Sequence, residues 1–370
     1  MKRNFRFIPI NNRTYLKLVY SIAGVLKELS YKYAVRKKAG FKRFKRDKNF
    51  RDGIKKYYSQ YGIKRLDYYW HDFYREVSGV DSVKFIPDYI FYRYIEPQNS
   101  ELELAKAYAD KNLYQTRFGD LVKTPKCLLR NMNGVFYNLD HEEISRDQAL
   151  DVLSSISEKH IIKPSLLSGG GRDIALIEKK DKALYLGTEV VVADKLFKRY
   201  GDNFCIQDII RQDPMMAKFN PDSVNSIKIL TARMDGDIIF VDSYVRIGLK
   251  GTITDNFGTG GIYCGVDKSG LLKSYAYGEY PNRYYSHPDT GVKFEGTRYP
   301  GFDQIVEKSL LLHKRLPYFR FATWDMTFDN TGEAVLIEVN LSHQDVSGYQ
   351  LQNGPVFGDY TDRILADTFL

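Results

Sequence analysis

The 370 residues of this chain suffice for one large domain or for two to three smaller ones with a hydrophobic core. Hydrophobic residues make up 43% and charged residues 27%, as in soluble globular proteins, and no uninterrupted run of 18 apolar residues predicts a transmembrane helix. The first apolar segment is not followed by the small-residue cleavage site of a signal peptide, so no signal peptide is predicted. The three cysteines, Cys127, Cys205 and Cys264, lack metal or redox spacing, which predicts buried thiols in a reducing cytoplasm.

Positive charge is concentrated at the start of the chain. The first 70 residues contain 20 Lys and Arg but only four acids, a net charge of +16, whereas the other 300 residues carry −7. Such a patch predicts a polyanionic partner: the anionic inner membrane leaflet, a phosphate-rich substrate or nucleic acid, with solvated helix faces as the alternative. Nucleic acid is the least favoured of these three partners, because no zinc-finger, helix-turn-helix or RNA-recognition signature accompanies the charge. We therefore expect a peripheral, membrane-surface or acceptor-recruiting role for this region.

Between residues 15 and 158 the sequence predicts helices first, then a strand-like boundary, and then a strand followed by a helix. Apolar residues three and four apart over residues 15–74 predict helices, so residues 1–95 are predicted to form a basic, mostly helical N-terminal region. The stretch Tyr89-Ile90-Phe91-Tyr92 is strand-like and marks the predicted domain boundary. Beyond it, residues 124–129 predict a strand, and Ser145 is a candidate N-cap for a helix over residues 145–158.

A glycine loop lies between two predicted strands at residues 160–177. Lys163 is on the first strand, and the loop reads Ser168-Gly169-Gly170-Gly171-Arg172. Consecutive glycines let backbone N–H groups approach a phosphate closely, and the lysine supplies a point charge. It is not a Walker loop, because no helix beginning with Gly-Lys-Ser/Thr follows. The alternative interpretation is a plain glycine-rich hairpin.

Two further strands, at residues 225–233 and 238–248, are predicted to pair through a turn at Asp235-Gly236. Lys228 and Arg246 therefore lie on paired strands, where both can face an anion. The loop over residues 255–261, which contains Asn256, is too rich in glycine for a core element and is predicted to offer backbone or amide donors.

The C-terminal third predicts a β-hairpin. One strand carries Asp325, a turn follows at residues 329–332, and the second strand carries Glu338 and Asn340. Side chains two residues apart on a strand share a face, so Glu338 and Asn340 point the same way and Asp325 can lie alongside them. Two carboxylates and an amide oxygen suit Mg²⁺ that bridges nucleotide phosphates. The alternative is an edge hairpin with solvated acids.

Taken in order, these motifs resemble the ATP-grasp superfamily over residues 100–345. The residues that carry the resemblance are Lys111, Lys163, Gly169-Gly170-Gly171, Gln207-Asp208-Ile209-Ile210, Lys228, Arg246, Asn256 with Gly260-Gly261, Asp325 and Glu338-Val339-Asn340. The wording of residues 223–228 and 255–261 is similar to the sugar-transfer associated ATP-grasp branch, which is linked to bacterial polysaccharide and teichuronopeptide synthesis. The resemblance implies an α+β ATP-grasp fold in which two α+β subdomains sandwich ATP. Residues 96–205 would form its N-terminal part with the lid, and residues 206–370 its C-terminal subdomain with the metal site.

The resemblance also implies the roles of individual residues. The ATP-binding residues would be Lys111, Lys163, Ser168, Gly169, Gly170, Gly171, Gln207, Asp208, Ile210 and Asn256. Asp325, Glu338 and Asn340 would hold Mg²⁺. Arg246 would bind an acyl phosphate, because its planar fork suits that group, and Lys228 would assist it or only pair with a metal-binding acid.

The function implied by the resemblance is an ATP-dependent carboxylate–amine ligase with an acyl-phosphate intermediate. It would attach an amino acid or amine to a uronic acid or related carboxylate during the synthesis of a bacterial cell-surface polysaccharide such as a capsule. Two alternatives stay open. One is a phosphotransferase acting on a sugar or small-molecule hydroxyl, and the other is a non-catalytic nucleotide-binding module whose basic N-terminus recruits glycosyltransferases.

Overall fold

The computed structural model describes residues 47–166, 171, 173–181, 183–279 and 281–370, together with residues 29, 30, 33, 43 and 44. The chain divides into two compact units, one made of Met1–Glu101 with Asp345–Leu370 and the other of Leu102–Gln344. The sequence-based division at residues 95 and 205 stays a prediction. Within the described ranges, no helix is both long and apolar enough to cross a bilayer.

The named secondary-structure elements in the described part of the first unit are all helical. Its elements are the α-helices Lys48–Ser59, Tyr69–Ser78, Val346–Asn353 and Thr361–Phe369, the short α-helical pieces Asp88–Ile90 and Glu96–Asn99, the π-helical piece Phe91–Ile95 and the 3₁₀ turn Gly358–Tyr360. Phe50, Ile54 and Tyr58 are buried at helical spacing, and Asp47 caps their helix by accepting the Phe50 N–H at 3.0 Å. The predicted helical character of the N-terminal region is therefore confirmed in its described part, whereas most of residues 1–46 lie outside the description.

The strand-like interpretation of residues 89–92 is wrong, because these residues are helical. Pro87 stands just before the first turn, where its missing N–H costs nothing, and Phe91, Tyr92 and Ile95 are all buried. A segment that is apolar on all sides has no helical periodicity to detect. Its sequence therefore fits a buried strand as well as a buried helix.

Polar contacts join the two chain segments of the first unit. The hydroxyl of Tyr74 contacts the buried Asp88 carboxylate, which also accepts a hydrogen bond from Ser347 at 2.6 Å. At a second point, Asp362 accepts from Tyr57 at 2.8 Å and pairs with Lys84 at 2.6 Å. The C-terminal helices are therefore fixed to the N-terminal ones by specific hydrogen bonds as well as by apolar packing.

The second unit contains two antiparallel sheets in its described part. The strands are β1 Cys127–Met132, β2 Val135–Tyr137, β3 Glu143–Ile144, β4 His160–Pro164, β5 Ala175–Lys180, β6 Ala183–Leu186, β7 Glu189–Val191, β8 Asn203–Asp208, β9 Ile227–Met234, β10 Asp237–Ile247, β11 Ile262–Val266, β12 Leu272–Tyr277, β13 Arg283–Tyr284, β14 Phe321–Phe328 and β15 Ala334–Asn340. The first sheet has the order β3-β2-β1-β8-β4-β5-β6-β7, and the second has the order β13-β12-β11-β10-β9-β14-β15.

Helices cover one face of each sheet. The helices of this unit are Ala105–Tyr108, Tyr114–Phe118, Arg146–Ser154, Ala193–Tyr200, Pro214–Ala217 and Phe302–Lys314, with 3₁₀ turns at Leu102–Leu104, Lys111–Leu113 and Phe257–Thr259. The predicted N-cap is confirmed, since Ser145 and Gln148 form a capping box. The predicted hairpins are confirmed as well, with β9 paired to β10 and β14 paired to β15.

The apolar cores leave the opposite sheet faces to polar residues. In the first sheet Leu129, Ile162 and Ile206 belong to the core, together with residues of the covering helices. In the second sheet Ile229 and Trp324 pack in the same core as the helix Phe302–Lys314. Because side chains alternate along a strand, the neighbours of these residues point to the other face. Each sheet thus has one apolar face and one face that carries the candidate site.

Candidate functional site

The β14–β15 hairpin brings the three predicted metal-binding residues together. Asp325 and Glu338 are direct partners in the ladder, and Asn340 is the partner of Thr323 two residues away. Opposite residues of an antiparallel pair point to one face, so the two carboxylates are neighbours. Asn340 Nδ2 lies 3.5 Å from Asp325 Oδ1. The hairpin therefore presents two carboxylates and an amide side by side.

Two cations compensate the charge of Asp325. Lys228 is its direct partner on β9 and donates to Oδ1 at 2.8 Å. Arg246 Nη2 donates to Oδ2, also at 2.8 Å. Burial opposes ionisation of Asp325, but Arg246 and Lys228 hold its pKa below the usual value. Asp325 is therefore a buried carboxylate that stays ionised because two cations contact it.

Lys111 compensates the other carboxylate. Its Nζ lies 2.7 Å from Glu338 Oε1, with the lysine buried and the glutamate partly exposed. Asp110 caps the turn Lys111–Leu113 by accepting the N–H of Asn112 at 3.0 Å. The backbone N–H of Lys111 also donates to the carbonyl of Ser165, just after β4. Lys111 therefore connects the end of β4 to the carboxylate of Glu338 on β15.

Lys163 is buried without a counterion. It lies on β4 opposite Cys205 of β8, and only 6% of its surface is exposed. Its ammonium group has no hydrogen bond or ion pair with any residue that the structure describes. Burial lowers the pKa of Lys163 and the positive charge of Lys111 adds to this effect, whereas Cys205 and Glu338 act in the opposite direction. An anion that binds the Lys163 ammonium would reduce the free-energy cost of keeping this lysine charged in a buried position.

The thiols beside Lys163 are buried, as predicted. Cys127, Cys205 and Cys264 are unbridged. Burial raises the pKa of Cys127, whereas hydrogen bonding to Cys127 and the charge of Lys163 lower that of Cys205 despite burial.

The glycine loop approaches the second sheet at Gly171. Ser168, Gly169 and Gly170 lie outside the described residues, so their predicted roles are untested. Gly171 has a φ of +70°, and a Cβ built there would lie 2.5 Å from Nδ2 of Asn256. A larger residue at this position would meet both an unfavourable backbone conformation and a steric clash. The loop after β4 therefore contacts the loop that carries Asn256.

Arg246 is held by residues that the sequence did not single out. Ser226 Oγ accepts from Nε at 3.2 Å and from Nη2 at 2.9 Å, and Asp255 lies 3.5 Å from Nη2. Asn256 accepts from Nη1 at 3.1 Å. Ser226 and Asp255 contact each other, because the backbone N–H of Ser226 donates to Asp255 at 3.0 Å. These contacts fix the orientation of the guanidinium plane.

The electrostatics of this cluster are set by burial and by its own charges. Burial opposes protonation of Arg246, but Asp255 and Asp325 raise its pKa well above the usual value. Burial also raises the pKa of Asp255, against the opposing effect of Arg246. Ser226 and Asp255 lie within the stretches 223–228 and 255–261 that carry the family resemblance, but the sequence analysis assigned neither of them a role.

A comparison with protein families decides the relationship. The model described as sugar-transfer associated ATP-grasp matches residues 91–364, well over half of the chain. The chain belongs to this family. The predicted ATP-grasp membership and α+β ATP-grasp fold are thereby confirmed.

Several solved ligase structures are similar to this ATP-grasp chain. They include the VanG D-Ala:D-Ser ligase from Enterococcus faecalis, with 14% identity, a TM-score of 0.41, and coverage of 71% of this chain and 62% of that chain. D-alanine–D-alanine ligase from Helicobacter pylori has 17% identity, a TM-score of 0.40, and coverage of 73% and 61%. L-amino acid ligase from Bacillus licheniformis has 11% identity, a TM-score of 0.40, and coverage of 86% and 59%. The chain thus spans less than two thirds of each of these structures. No curated protein matched the sequence.

The predicted ATP-binding residues Gln207, Asp208 and Ile210 of this ATP-grasp protein lie at the end of β8 and just beyond it. Gln207 is buried and pairs with Ile161, on the same face of the sheet as Lys163 and Cys205. Asp208 pairs instead with His160, whose Nε2 lies 3.4 Å from its carboxylate, on the opposite face. Ile210 follows the strand and is partly buried. The strand alternation therefore places the Gln207 side chain with Lys163 and directs that of Asp208 away.

The donor set at the hairpin fits a magnesium ion. Two carboxylates and an amide oxygen are hard ligands of the kind Mg²⁺ prefers. No group of three His, Cys, Asp or Glu residues suited to a metal exists in the described part of the chain.

Proposed function

We propose that this ATP-grasp protein is an ATP-dependent carboxylate–amine ligase that forms an acyl-phosphate intermediate. Its carboxylate substrate would be a uronic acid or related acid of a bacterial cell-surface polysaccharide, and its second substrate an amino acid or amine. The observation that carries the proposal is the buried charge network in which Lys111, Lys228 and Arg246 contact the carboxylates of Glu338 and Asp325. The family match supports both the nucleotide and the link to polysaccharide synthesis.

The phosphates of ATP would be bound by lysines and by the glycine loop. Lys163 lacks a counterion in the described structure, so a phosphate oxygen would replace an unpaired buried charge with an ion pair. Lys111 lies beside it and would neutralise further phosphate charge. Backbone N–H groups of residues 168–171 would add hydrogen bonds, as glycines allow. Binding and charge neutralisation account for most of what a protein contributes to phosphoryl transfer.

Asp325, Glu338 and Asn340 would hold Mg²⁺, which supplies Lewis-acid stabilisation of phosphoryl oxygens when it is bound. Lys228 and Lys111 keep the two carboxylates in place through their ion pairs. The rigid hairpin fixes the spacing of all three side chains. Positioning by paired strands is more precise than positioning by a loop.

Arg246 would orient the reacting carboxylate and then the acyl phosphate. A carboxylate oxygen would attack the γ-phosphorus of ATP, and ADP would leave. The amine would next attack the acyl carbon, and inorganic phosphate would leave. The positive charge of the guanidinium would stabilise the negative oxygens in both steps, and Ser226, Asp255 and Asn256 hold its plane. The contact between Gly171 and Asn256 would help to exclude water, which hydrolyses acyl phosphates.

The proposal is tested by ATP-dependent phosphate release across uronic acids, uronic-acid nucleotide sugars and amino acids, followed by a hydroxylamine trap. Acyl phosphates react with hydroxylamine to give hydroxamates, whereas phosphate esters do not. We expect a carboxylate-dependent hydroxamate. A phosphorylated product that forms without an amine and yields no hydroxamate would establish the phosphotransferase. Nucleotide binding without turnover on any substrate would establish a non-catalytic module.

A further inference from the structure

A row of side chains extends from Arg246 across the second sheet. Tyr263 is the direct partner of Arg246 between β10 and β11, and Tyr277 is the partner of Tyr263 between β11 and β12. Arg283 is in turn the partner of Tyr277 between β12 and β13. Direct partners in an antiparallel ladder point to one face, so these four side chains lie on the same face. With about 4.8 Å between neighbouring strands, Arg246 and Arg283 are about 14 Å apart along the row.

Other tyrosines flank this row. We call Arg246, Tyr263, Tyr277 and Arg283, with the flanking residues Tyr244, Tyr275 and Tyr285, the tyrosine row. The rings of Tyr244 and Tyr263 are 5.0 Å apart, and those of Tyr275 and Tyr277 are 5.3 Å apart. The guanidinium of Arg283 lies 4.9 Å from the Tyr275 ring and 5.1 Å from the Tyr277 ring. Stacking on two rings orders an otherwise flexible arginine.

The row leads from the buried reaction centre to the surface. Arg246 is 9% exposed, whereas Arg283 is exposed and Tyr285 is 64% exposed. Tyr263 and Tyr275 are half-buried between them, whereas Tyr277 is only 5% exposed and Tyr244 is fully buried, so the accessible rings are those of Tyr263, Tyr275 and Tyr285. The apolar core of this sheet lies on the other face, where Ile262, Cys264 and Ala276 alternate with these tyrosines. The tyrosine row therefore belongs to the face of the reaction centre and not to the core.

The chemistry of the row suits an elongated, acidic carbohydrate. The apolar C–H face of a sugar ring packs against an aromatic ring, and tyrosine adds a hydroxyl for hydrogen bonds at low conformational cost. Arginine at each end attracts a carboxylate, because a guanidinium stays charged and donates N–H groups to carboxylate oxygens. A separation of about 14 Å between the two arginines exceeds one sugar ring and requires several linked sugars.

We propose that the tyrosine row binds an acidic oligosaccharide, with the reacting carboxylate at Arg246 and a carboxylate of a more distant sugar at Arg283. This inference rests on the proposed function, because that function places the reacting carboxylate at Arg246. The row is continuous with the reaction centre and ends in the exposed cation Arg283, which favours an acidic occupant over a neutral glycan. Binding along the row would make the affinity depend on the length of the oligosaccharide and not only on its terminal sugar.

The test is direct binding by calorimetry, with non-hydrolysable ATP analogue and Mg²⁺ present. The probes are galacturonic acid and its linear dimer and trimer. The variants are Arg283→Ala, Tyr285→Ala and the control Arg146→Ala, which removes an exposed arginine stacked 5.5 Å from Phe197 beside the other sheet. Wild type and Arg146→Ala should bind the trimer at least about tenfold more tightly than the monomer, equivalent to about 1.4 kcal/mol. Arg283→Ala should bring the trimer affinity down to that of the monomer, and Tyr285→Ala should reduce it in part.

The inference is overturned if the wild type binds none of the three probes, if monomer and trimer bind equally, or if Arg283→Ala matches Arg146→Ala. An acidic peptide of similar length that binds as tightly, with the same dependence on Arg283, overturns the carbohydrate assignment. The outcome is separable from that of the ligase proposal. Hydroxamate formation on single uronic acids without any chain-length effect leaves the ligase standing and removes this site. Length-dependent binding without hydroxamate does the reverse.

Discussion

Replacing Lys163 with methionine should stabilise the nucleotide-free protein and remove its response to ATP. The Lys163 residue is buried, and no ion pair joins it to another residue that the structure describes. Burial lowers the pKa of Lys163, which means that the fold disfavours its charged form. Methionine keeps an unbranched, flexible stem of similar length and removes the charge.

The size of the effect follows from the cost of an unsatisfied buried polar group, about 1–3 kcal/mol. The variant should be more stable by about that amount without nucleotide. Wild type should gain about 2.7 kcal/mol when ATP is present at a hundredfold excess over its Kd, whereas the variant should gain little. The pKa of Lys163 is lower in the folded than in the unfolded state, where it is near 10.5. The cost is therefore full below the folded pKa and shrinks as the pH rises towards 10.5, so the difference between the proteins should narrow in alkali.

Chemical denaturation read by hydrogen exchange of the β4 and β8 amides reports the stability of the second unit. Lys159→Met is the matched control, because Lys159 precedes β4 but its side chain is 56% exposed. Its stability should stay within about 0.5 kcal/mol of wild type, with the ATP response intact. The reasoning about Lys163 is refuted if its methionine variant is less stable than wild type without nucleotide, or if ATP still stabilises it.

Four further outcomes are expected. Glu338→Gln should leave nucleotide bound but reduce ATP-dependent phosphate release by at least about a hundredfold. The control Glu333→Gln, on the exposed turn of the same hairpin, should turn over normally. Normal turnover of Glu338→Gln would contradict the metal assignment. Gly171→Ala should weaken ATP-analogue protection of residues 173–177 in hydrogen exchange, because its Cβ meets an asparagine side chain; unchanged protection would argue against a closing lid. Lys84 and two tyrosines lower the pKa of Asp362 to about 2 from 3.8, so the stability that they contribute is present above pH 3.8 and is lost as the pH falls towards 2. The free energy of unfolding of Asp362→Asn, measured over the same pH range, should lack this acid dependence. The same pH dependence in wild type and variant would contradict the prediction. Because its first 70 residues are basic, the protein should sediment with anionic liposomes at low salt and not at high salt. Equal, salt-insensitive partitioning into anionic and neutral liposomes would exclude a membrane-surface role.

Local sequence patterns determined much of the candidate site. The turn chemistry at residues 329–332 and the alternation of residues along both strands are enough to place Glu338 and Asn340 on one face with Asp325 alongside. The Asp235-Gly236 turn likewise makes Lys228 and Arg246 occupants of paired strands. These predictions succeeded because a hairpin needs only neighbouring residues to specify its register.

Only the tertiary structure could decide which distant groups meet. Lys111 contacts Glu338 across 227 positions of sequence, and Arg246 is held by Ser226 and Asp255, whose residue types have many structural uses. The tyrosine row exists because successive ladders bring β10 to β13 into register, which no local pattern encodes. The helical state of residues 89–92 was likewise decided by burial on all sides. Periodicity reports which face of an element is apolar, whereas the partners of that face depend on contacts between segments far apart in the chain.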